Sequence, residues 1–453
     1  MNIQFENPDK VNGLMTLTIE KADYEEKVEK ALKNYRKRAQ IPGFRPGMAP
    51  MSMIKRQYGM SVKVDEVNRL LGEKLYEYIR ENKIQMLGEP LPNEEKQKPL
   101  DFEGDGPLEF VFDIAVAPEF KAELTNKDKV DYYHIEVDDK LIDRQVQMYQ
   151  SRGGQYEKVE TYQSRDMLKG DLRELDAEGN TKEDGITVSE AIMMPEYIKV
   201  DDQKKLFDGC KLGDIITFNP KKAYPDNDSE VAALLKLKKE DVAELTADFS
   251  YQVTEISRFV PAAVDQKLFD QVFGEGAVKD EKEFRQKIAD SLKPQLIIDS
   301  DYKFLQDVRA YVEKKVGKLE FPEALLKRMM LNNNKDKGAD YVEKNFEGSI
   351  RELEWHLIKE QLVAANEIKI EDADVKSVAK EAARAQFAQY GMTDVPEEYL
   401  DNYAEETLKK RENVDGLVDR AIDIKLTEQL KKVVKLNEKK VTLDEFNKMM
   451  EGK

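Results

Sequence analysis

The segment from Gly43 to Pro50, with the sequence GFRPGMAP, constrains the fold of this chain more than any other stretch. Two glycines and two prolines within eight residues predict a loop. The sequence on either side has the spacing of amphipathic helices, so the loop joins two helical segments. Its tip carries Phe44 and Arg45, which the core of a helical hairpin cannot use at this point. The sequence therefore predicts a hairpin that presents an aromatic ring and a guanidinium to the outside.

Basic residues surround this loop. From Ala31 to Val64 the chain has eight basic residues and neither aspartate nor glutamate, although the whole chain carries 73 Lys+Arg against 91 Asp+Glu and a net charge of -18. One cationic hairpin on an acidic protein predicts docking on an anionic partner. The pattern also fits a plain surface turn between solvated helix faces, because basic runs are common on helices. The eight residues are Lys33, Arg36, Lys37, Arg38, Arg45, Lys55, Arg56 and Lys63.

The pattern Gly-Phe-Arg-x-Gly-x-x-Pro, between an amphipathic helix and a short helix ending at Tyr58-Gly59, resembles the ribosome-docking signature of the trigger factor family. That family consists of bacterial chaperones at the nascent-chain exit of the large ribosomal subunit. The resemblance implies contacts with an exit-tunnel protein and ribosomal RNA, and with nascent and unfolded polypeptides, and it allows self-association away from the ribosome. The implied docking residues are Gly43, Phe44, Arg45, Pro46 and Gly47, supported by Arg36, Lys37, Arg38, Lys55 and Arg56.

This loop departs from the family pattern at two positions. Pro46 stands where a basic residue usually follows the Phe-Arg pair, and Met48 stands where another basic residue is common. We therefore expect affinity to depend more on the basic residues of the flanking helices.

Length and composition narrow the remaining choices. A chain of 453 residues is expected to form two or three domains. Cys210 is alone, no apolar run spans a bilayer and the N-terminus lacks a secretory signal, so a cytoplasmic location is expected. With only His134 and His356 present, we expect no metal site. We find no phosphate-binding loop and expect no cofactor and no ATP cycle.

The pattern of elements predicts an α+β multidomain protein. Residues 1–116 read as a small α+β domain. Its predicted strands lie near Ile3–Phe5, over Leu14–Ile19 and over Leu108–Val116, with a turn at Asn12–Gly13. Its predicted helices begin at an Asp23 cap and near Val62. Residues 117–161 read as a linker with one helix, which the resemblance implies packs against the C-terminal body. Residues 162–258 are β-rich, and residues 259–453 are almost entirely helical.

The β-rich segment resembles the FKBP-type prolyl-isomerase domain that trigger factors carry. Such a domain twists an X-Pro bond inside an apolar pocket, with no acid, base or nucleophile. The pocket floor of that family aligns here with Val200 to Gln203, and one wall aligns near Lys182, so two positions for rings are polar. Tyr224 and Phe249 fall where pocket aromatics belong, with ordinary core packing as the alternative, and a small misalignment would bring in Phe207. The remnant pocket is thus Tyr224, Phe249 and Val200, and we expect weak or absent catalysis.

The helical segment carries methionine and aromatic residues that suit an adaptable client surface. Each of them also fits a helical core. The resemblance implies an elongated, cradle-shaped body with apolar patches on its inner face. The client-binding candidates are Met329, Met330, Phe346, Trp355, Phe387 and Met392.

Three functions follow from these patterns. The leading hypothesis is an ATP-independent chaperone that docks at the ribosome and holds unfolded segments. An active prolyl isomerase is the rival, and the polar pocket positions Gln203 and Lys182 argue against it. A protein that only binds nucleic acid ranks last, because the sequence shows neither a second basic surface nor a stacking platform.

Overall fold

The computed structural model describes residues 1–38, 40–42, 44–45, 47–390, 392 and 395–452. The chain divides into two compact units. The first unit combines Met1–Tyr133 with Asp301–Lys439, and the second combines His134–Ser300 with Lys440–Lys453. Each unit is therefore built from two separate parts of the chain.

The strands are short, and the described residues arrange them in three sheets. The sheets have the orders β1-β2-β4-β3, β6-β10-β7-β8 with β9 also on β10, and β11-β5. The strand bounds are β1 (Asn2–Glu6), β2 (Asn12–Ile19), β3 (Leu91–Pro92), β4 (Leu108–Ala115), β5 (Lys129–Ile135), β6 (Gln155–Val159), β7 (Met167–Glu174), β8 (Thr187–Met193), β9 (Ile215–Phe218), β10 (Phe249–Val260) and β11 (Lys435–Val441).

The helices account for most of the remaining chain. Their bounds are α1 (Lys21–Arg38), α2 (Met51–Glu81), α3 (Asp139–Gly153), α4 (Asp201–Lys204), α5 (Pro220–Ala223), α6 (Asp228–Leu235), α7 (Lys239–Val242), α8 (Gln266–Phe273), α9 (Glu281–Val316), α10 (Glu323–Asn333), α11 (Gly338–Ala365), α12 (Asp372–Gln389), α13 (Glu397–Leu408), α14 (Arg411–Val433) and α15 (Leu443–Met450). No helix within the described ranges is long and apolar enough to cross a membrane.

The N-terminal sheet confirms the strands predicted from alternation. β2 and β4 are antiparallel neighbours, with Met15 opposite Phe112. Met15, Leu17 and Ile19 are fully buried, and they share a cluster with Val67 and other residues of α2. Alternate residues of β2 face the helix because successive side chains of a strand point to opposite sides. The helix α2 therefore closes one face of this sheet.

The turn between β1 and β2 differs from the prediction at Asn12–Gly13. Asn12 already lies in β2, and the turn occupies residues 8–11. The Asp9 carboxylate accepts the backbone N–H groups of Val11 and Asn12 at 3.1 and 2.7 Å. Aspartate binds nearby backbone donors in this way and so fixes a tight turn. The Asn-Gly pair is the start of the strand, because the aspartate before it makes the turn.

The helices of this domain also differ from the sequence prediction. α1 starts at Lys21, so Asp23 lies in its first turn, where the carboxylate accepts the N–H of Glu20 at 2.8 Å. The predicted break after Tyr58-Gly59 is absent, since α2 runs unbroken from Met51 to Glu81. One internal glycine costs a helix only about 1 kcal/mol relative to alanine. The buried face of α2 continues across Gly59 and keeps the helix whole.

The predicted linker contains more structure than one helix. α3 confirms the predicted helix, and the Asp138 carboxylate caps it by accepting the N–H of Leu141. Ahead of it, Ala122 N–H donates to the side-chain oxygen of Gln361 on α11 at 2.8 Å, and the Gln361 amide donates to Phe120 O at 3.1 Å. β5 was not predicted, and it pairs with β11 near the end of the chain.

The β-rich part of the second unit packs around one aromatic core. β10 is its central strand, with β7 along one side and β6 and β9 along the other. The rings of Phe207, Phe218 and Tyr251 meet edge to face, with centroids 5.2 to 6.5 Å apart. The Tyr251 hydroxyl donates to Ala191 O at 3.0 Å, so this buried polar group is satisfied.

The helices of the first unit confirm the predicted helical segment. The helices α11, α12, α13 and α14 lie within the segment predicted to be almost entirely helical, and Gly317 ends α9 at a φ of +82°. Their core lies under β5. Its buried residues include Val130, Tyr132, Phe304, Val308, Trp355, Leu362, Leu426 and Leu430.

Candidate functional site

The hairpin loop between α1 and α2 is tied down at both ends. Ile41 and Ala49 are buried beside Leu32 and Ile54, so each end of the loop has an apolar anchor. The N–H of Gly47 donates to the carbonyl of Arg36 at 3.2 Å. Gly47 has a φ of +86°, which glycine adopts without the steric penalty of a side chain. These contacts hold Ile41, Gly47 and Ala49 against the two helices.

The tip of the loop presents apolar side chains to water. Phe44 is 39% exposed and Met48 is 69% exposed, and Arg45 is exposed between them. Covering the rest of the Phe44 ring on a partner would contribute about 1 kcal/mol. The predicted Gly43 and Pro46 lie outside the described residues.

Most of the predicted basic residues have no carboxylate partner. Lys55 pairs with Glu29 at 3.2 Å. Lys63 donates to the carbonyls of Phe102 and Gly104 at 2.7 and 2.8 Å. In the part of the chain that the structure describes, the other six make no salt bridge. The six unpaired residues are Lys33, Arg36, Lys37, Arg38, Arg45 and Arg56.

An exposed tyrosine lies beside these cations. Tyr35 continues the helical spacing of Tyr24, Val28, Ala31 and Leu32, which predicts one apolar face of α1, but Tyr35 is 46% exposed and corrects that prediction. It lies in the last turn of the helix, and its ring contacts that of Tyr58 on α2 with centroids 4.8 Å apart and planes 43° apart. The signal available in the sequence was the position of Tyr35 among four cations, Lys33, Arg36, Lys37 and Arg38.

Two of the three candidate pocket residues belong to the packed core of the β-rich domain. Tyr224 and Phe249 are buried and Val200 is half-buried, and the first two belong to the same core cluster as Phe207. Burial raises the pKa of the Tyr224 hydroxyl to about 12. The side-chain oxygen of Gln203 accepts the N–H of Asn219 at 2.8 Å. These contacts make Tyr224, Phe249 and Gln203 parts of the domain's internal packing.

The insertion that follows Tyr224 packs into the same core. Val231 and Leu235 on α6 and Val242 on α7 are buried in the cluster that holds Tyr224 and Phe249. Lys182, the other polar position, is exposed and pairs with the Glu174 carboxylate at 2.5 Å.

The six client-binding candidates are placed at different depths. Met329, Phe346 and Trp355 are buried, Met330 and Phe387 are half-buried, and Met392 is exposed. Trp355 belongs to the helical core, and the Arg309 guanidinium lies 5.5 Å from its ring. Buried side chains of this kind hold helices together and offer no open surface to a client.

Exposed aromatic residues concentrate on α12, α13 and the segment between them. Tyr390 and Tyr399 are largely exposed, and Phe387 meets Tyr403 edge to face at 5.5 Å. Sequence reasoning missed Tyr399 and Tyr403, although their spacing of four residues places them on one helix face. With Met392, these rings form an open apolar surface.

A cleft of about 660 Å³ lies between α12, α13 and α14. Small residues such as Ala379, Ala383 and Gly416 line it, and the Tyr403 hydroxyl donates to Gln386 at 3.0 Å along one side. It has polar groups of both signs, including Glu406 and Lys410. Among the residues described, no group of three or more His, Cys, Asp or Glu side chains could hold a metal ion.

The docking domain and the helices are joined inside the first unit. Arg328 on α10 donates to the Asp113 carboxylate on β4 at 2.6 Å and to Pro92 O at 3.1 Å. Met329 packs with Leu87 and Ala115 and lies close to Gly88. This contact buries one client candidate, Met329, against the N-terminal domain.

Comparison with protein families covers nearly all of this sequence. Residues 1–149 match the family model described as "Bacterial trigger factor protein". Residues 156–261 match "Probable trigger factor, FKBP-like domain". Residues 300–450 match "Probable trigger factor, C-terminal domain".

Individual proteins show the same similarity at low identity. The chain is 23% identical to a trigger factor of Rickettsia rickettsii over 454 residues, covering 95% of this chain and 94% of the relative. It is 25% identical to a trigger factor of Pseudomonas putida, covering 85% and 86%. A solved structure from work on "Promiscuous Substrate Recognition in Folding and Assembly Activities of the Trigger Factor Chaperone" matches with a TM-score of 0.50 and 16% identity, over 95% of this chain and 99% of the other. That last match concerns the fold alone.

Proposed function

Because this chain belongs to the trigger factor family, we propose that it is an ATP-independent chaperone that docks at the nascent-chain exit of the ribosome. In this role it holds unfolded polypeptide segments while they emerge and fold. The observation that carries the docking proposal is the tethered loop, which exposes Phe44 and Arg45 beside unpaired cations. The neighbouring cations repel one another when no carboxylate lies among them, and a complementary anionic surface would relieve that repulsion.

Docking would combine two kinds of contact. The Phe44 ring supplies an apolar anchor, and Arg45 supplies a charge-assisted hydrogen bond to a carboxylate or phosphate. The flanking cations steer the approach to an anionic surface, which makes association faster at low salt. Since Lys55 is paired with Glu29, Arg36, Lys37, Arg38 and Arg56 contribute more to this steering.

Client holding would use the exposed surface of α12 and α13. Phe387, Tyr390, Met392 and Tyr399 provide rings and a flexible thioether that adapt to many apolar sequences. Met330 on α10 adds a half-buried side chain. Contacts of this kind are individually weak, so clients dissociate quickly and no ATP is needed for release.

The proposed function does not include prolyl isomerase activity. That reaction needs an open apolar pocket around the proline ring. The buried positions of Tyr224 and Phe249 within a filled core argue against such a pocket.

Co-sedimentation with translating ribosomes tests the docking proposal. Replacing both Phe44 and Arg45 with alanine should weaken binding tenfold or more, about 1.4 kcal/mol. Higher salt should weaken binding of the unmodified protein, since exposed charges are screened. The matched control replaces Arg69 and Tyr76 with alanine, because these are exposed residues of α2 away from the loop. Equal binding by the two double variants would refute the docking assignment.

A further inference from the structure

We propose that α10 carries a second client-binding face, which the N-terminal domain covers in this structure and uncovers when it moves away from the helix. The occupant of the uncovered face would be an extended apolar segment of an unfolded polypeptide. This face would add to the proposed holding of clients, on which the inference rests.

The covered face lies on one side of α10. Leu325 and Met329 are four residues apart, so they share a helix face. Both are buried in a cluster with Leu87 and Ala115 of the N-terminal domain. Their cover therefore comes partly from another domain, whereas Trp355 is buried within the helical core.

The same face continues as apolar surface on the helices. Leu353 and Leu357 of α11 and Leu326 of α10 are half-buried against the cluster. Met330 follows Leu326 by four residues and is also half-buried, so apolar side chains extend along α10 beyond the covered pair. Movement of the N-terminal domain would join the covered and half-buried residues into one surface.

The contact that covers this face is thin on the side of the N-terminal domain. Gly88 has no side chain, and the Met329 sulfur lies 3.1 Å from the position that a Cβ atom at Gly88 would take. Beside it, Arg328 donates to the Asp113 carboxylate at 2.6 Å and to Pro92 O at 3.1 Å. The strand β3 at this contact has only two residues. Segments with few backbone hydrogen bonds and few apolar contacts are the ones that open locally.

The N-terminal domain itself shows what the face can hold. Residues 87–92, with the sequence LGEPLP, follow the edge of β4 and lie against α10. Leu87 is buried in the cluster, Leu91 is half-buried beside it, and Pro92 O accepts the hydrogen bond from Arg328. An unfolded client offers the same groups, which are apolar side chains and free main-chain carbonyls. A client segment and residues 87–92 would therefore compete for α10.

Competition of this kind links client affinity to the position of the N-terminal domain. A ligand that binds only the uncovered face shifts the population toward it. While the uncovered state is rare, a change that makes uncovering easier strengthens binding by the same factor. Asp113 is the residue to change, because it holds Arg328 from the covering side and its loss leaves the face on α10 intact.

Fluorescence anisotropy of a labelled peptide with the sequence of residues 85–93, QMLGEPLPN, tests the proposal with the full chain. Asp113→Ala should bind this peptide about tenfold more tightly than the unmodified protein does, because a shielded charged pair no longer opposes uncovering. A peptide with both leucines replaced by serine, QMSGEPSPN, should bind Asp113→Ala more weakly. Adding Met329→Gln to Asp113→Ala should remove the gain in affinity, since it makes the face polar.

The matched control is Glu109→Ala, which removes another carboxylate of β4. Glu109 pairs with Lys98 at 3.4 Å, and both side chains face solvent, so peptide affinity should equal that of the unmodified protein. Hydrogen exchange of peptides covering 14–19 reports whether the N-terminal sheet stays folded in Asp113→Ala.

Thiol labelling supplies a second measurement that leaves the N-terminal domain unchanged. Met329→Cys places a thiol on the covered face, and the chain's other cysteine, Cys210, is buried, so its labelling is measured in the unmodified protein and subtracted. An excess of the peptide QMLGEPLPN should slow labelling of Met329→Cys, because an occupied face is shielded from the reagent.

The outcomes distinguish this inference from the proposed client holding. Equal peptide affinity of Asp113→Ala and Glu109→Ala with the sheet intact would overturn the covered face, and so would an unchanged labelling rate of Met329→Cys. If Asp113→Ala unfolds the N-terminal sheet, the labelling rate decides. Should the unmodified protein still suppress aggregation of an unfolded client when the covered face is overturned, client holding stands and uses the surface of α12 and α13.

Discussion

Replacing Arg328 with alanine should loosen the contact between the docking domain and the helices. Arg328 donates to Asp113 at 2.6 Å and to Pro92 O at 3.1 Å. The other Asp113 oxygen accepts the side-chain amide of Asn93 at 2.6 Å. The side chain of Asp113 is only 18% exposed, so the variant leaves a mostly buried carboxylate with one remaining partner.

The size of the effect follows from these contacts. Hydrogen bonds to charged groups contribute about 1.5–3 kcal/mol when the groups are shielded. β3 has two residues and pairs only with β4, so losing Arg328 removes a large part of what holds it. Opening of β3 should therefore become easier by about 1.5 kcal/mol, which is close to tenfold in an opening equilibrium.

Hydrogen exchange measured by mass spectrometry on peptides covering 88–97 reads this opening directly. The matched control is Lys327→Ala, since Lys327 is the neighbouring residue and its pair with Glu343 faces solvent. Surface ion pairs contribute about 0–1 kcal/mol, so hydrogen exchange of these peptides in Lys327→Ala should rise less than about fivefold. If both variants exchange alike, the Arg328–Asp113 pair is screened by solvent, and the reasoning is wrong.

Three further predictions concern the rest of the chain. Hydrogen bonds from Lys439 and Asn437 lower the pKa of Asp131 below its ordinary 3.8. The ionised Asp131 therefore adds to the free energy of unfolding above pH 3.8, and this stabilisation is lost as the pH falls through the pKa of Asp131 in the folded protein. Asp131→Asn should thus be less stable at neutral pH, with a gap that closes in acid, as followed by Trp355 fluorescence. Deleting residues 155–260 and joining the ends with a flexible linker should leave most of the protein's ability to suppress aggregation of an unfolded client. If the deletion variant folds but loses this ability, the client surface lies in the deleted domain. A protease-coupled proline-isomerisation assay of the full chain should show background rates, and turnover like that of an ordinary FKBP-type enzyme would mean that the filled core opens.

The sequence predicted elements whose signal is local. The alternation of Leu14–Ile19 determines which side of β2 is buried, because a strand repeats every two residues. The loop at Gly43 to Pro50 was predicted from its glycines and prolines, because these residues are local signals for loops. β5 and β11 were missed, because their pairing joins distant segments and the charged sequence of β11 carries no strand alternation.

Burial depth was less predictable than secondary structure. Helical spacing put Tyr35 on an apolar face, and residue type made Met329 a client-binding candidate. Neither signal indicates whether another part of the chain covers the side chain. Met329 is buried because the N-terminal domain packs on α10, whereas Tyr35 is exposed although Leu32 and Ile41 on either side of it are buried. The burial of Val231 and Leu235 in the FKBP-like core was also not predictable, because the sequence of a helical insertion does not indicate which part of the domain it packs against.

The pairing of β5 with β11 sets an order of events during synthesis of the protein itself. Asn437 and Lys439 bind Asp131, a partner 306 residues away from Asn437. Closing a loop of that length costs roughly 5 kcal/mol of chain entropy, and β11 cannot pair before residues 435–441 have been synthesised. Until then β5 remains an unpaired edge, and the helices that will cover it are still being made. The nascent chaperone thus presents to its own ribosome the kind of unfinished polypeptide that it is proposed to hold, and an existing copy docked there would be the first protein to meet it.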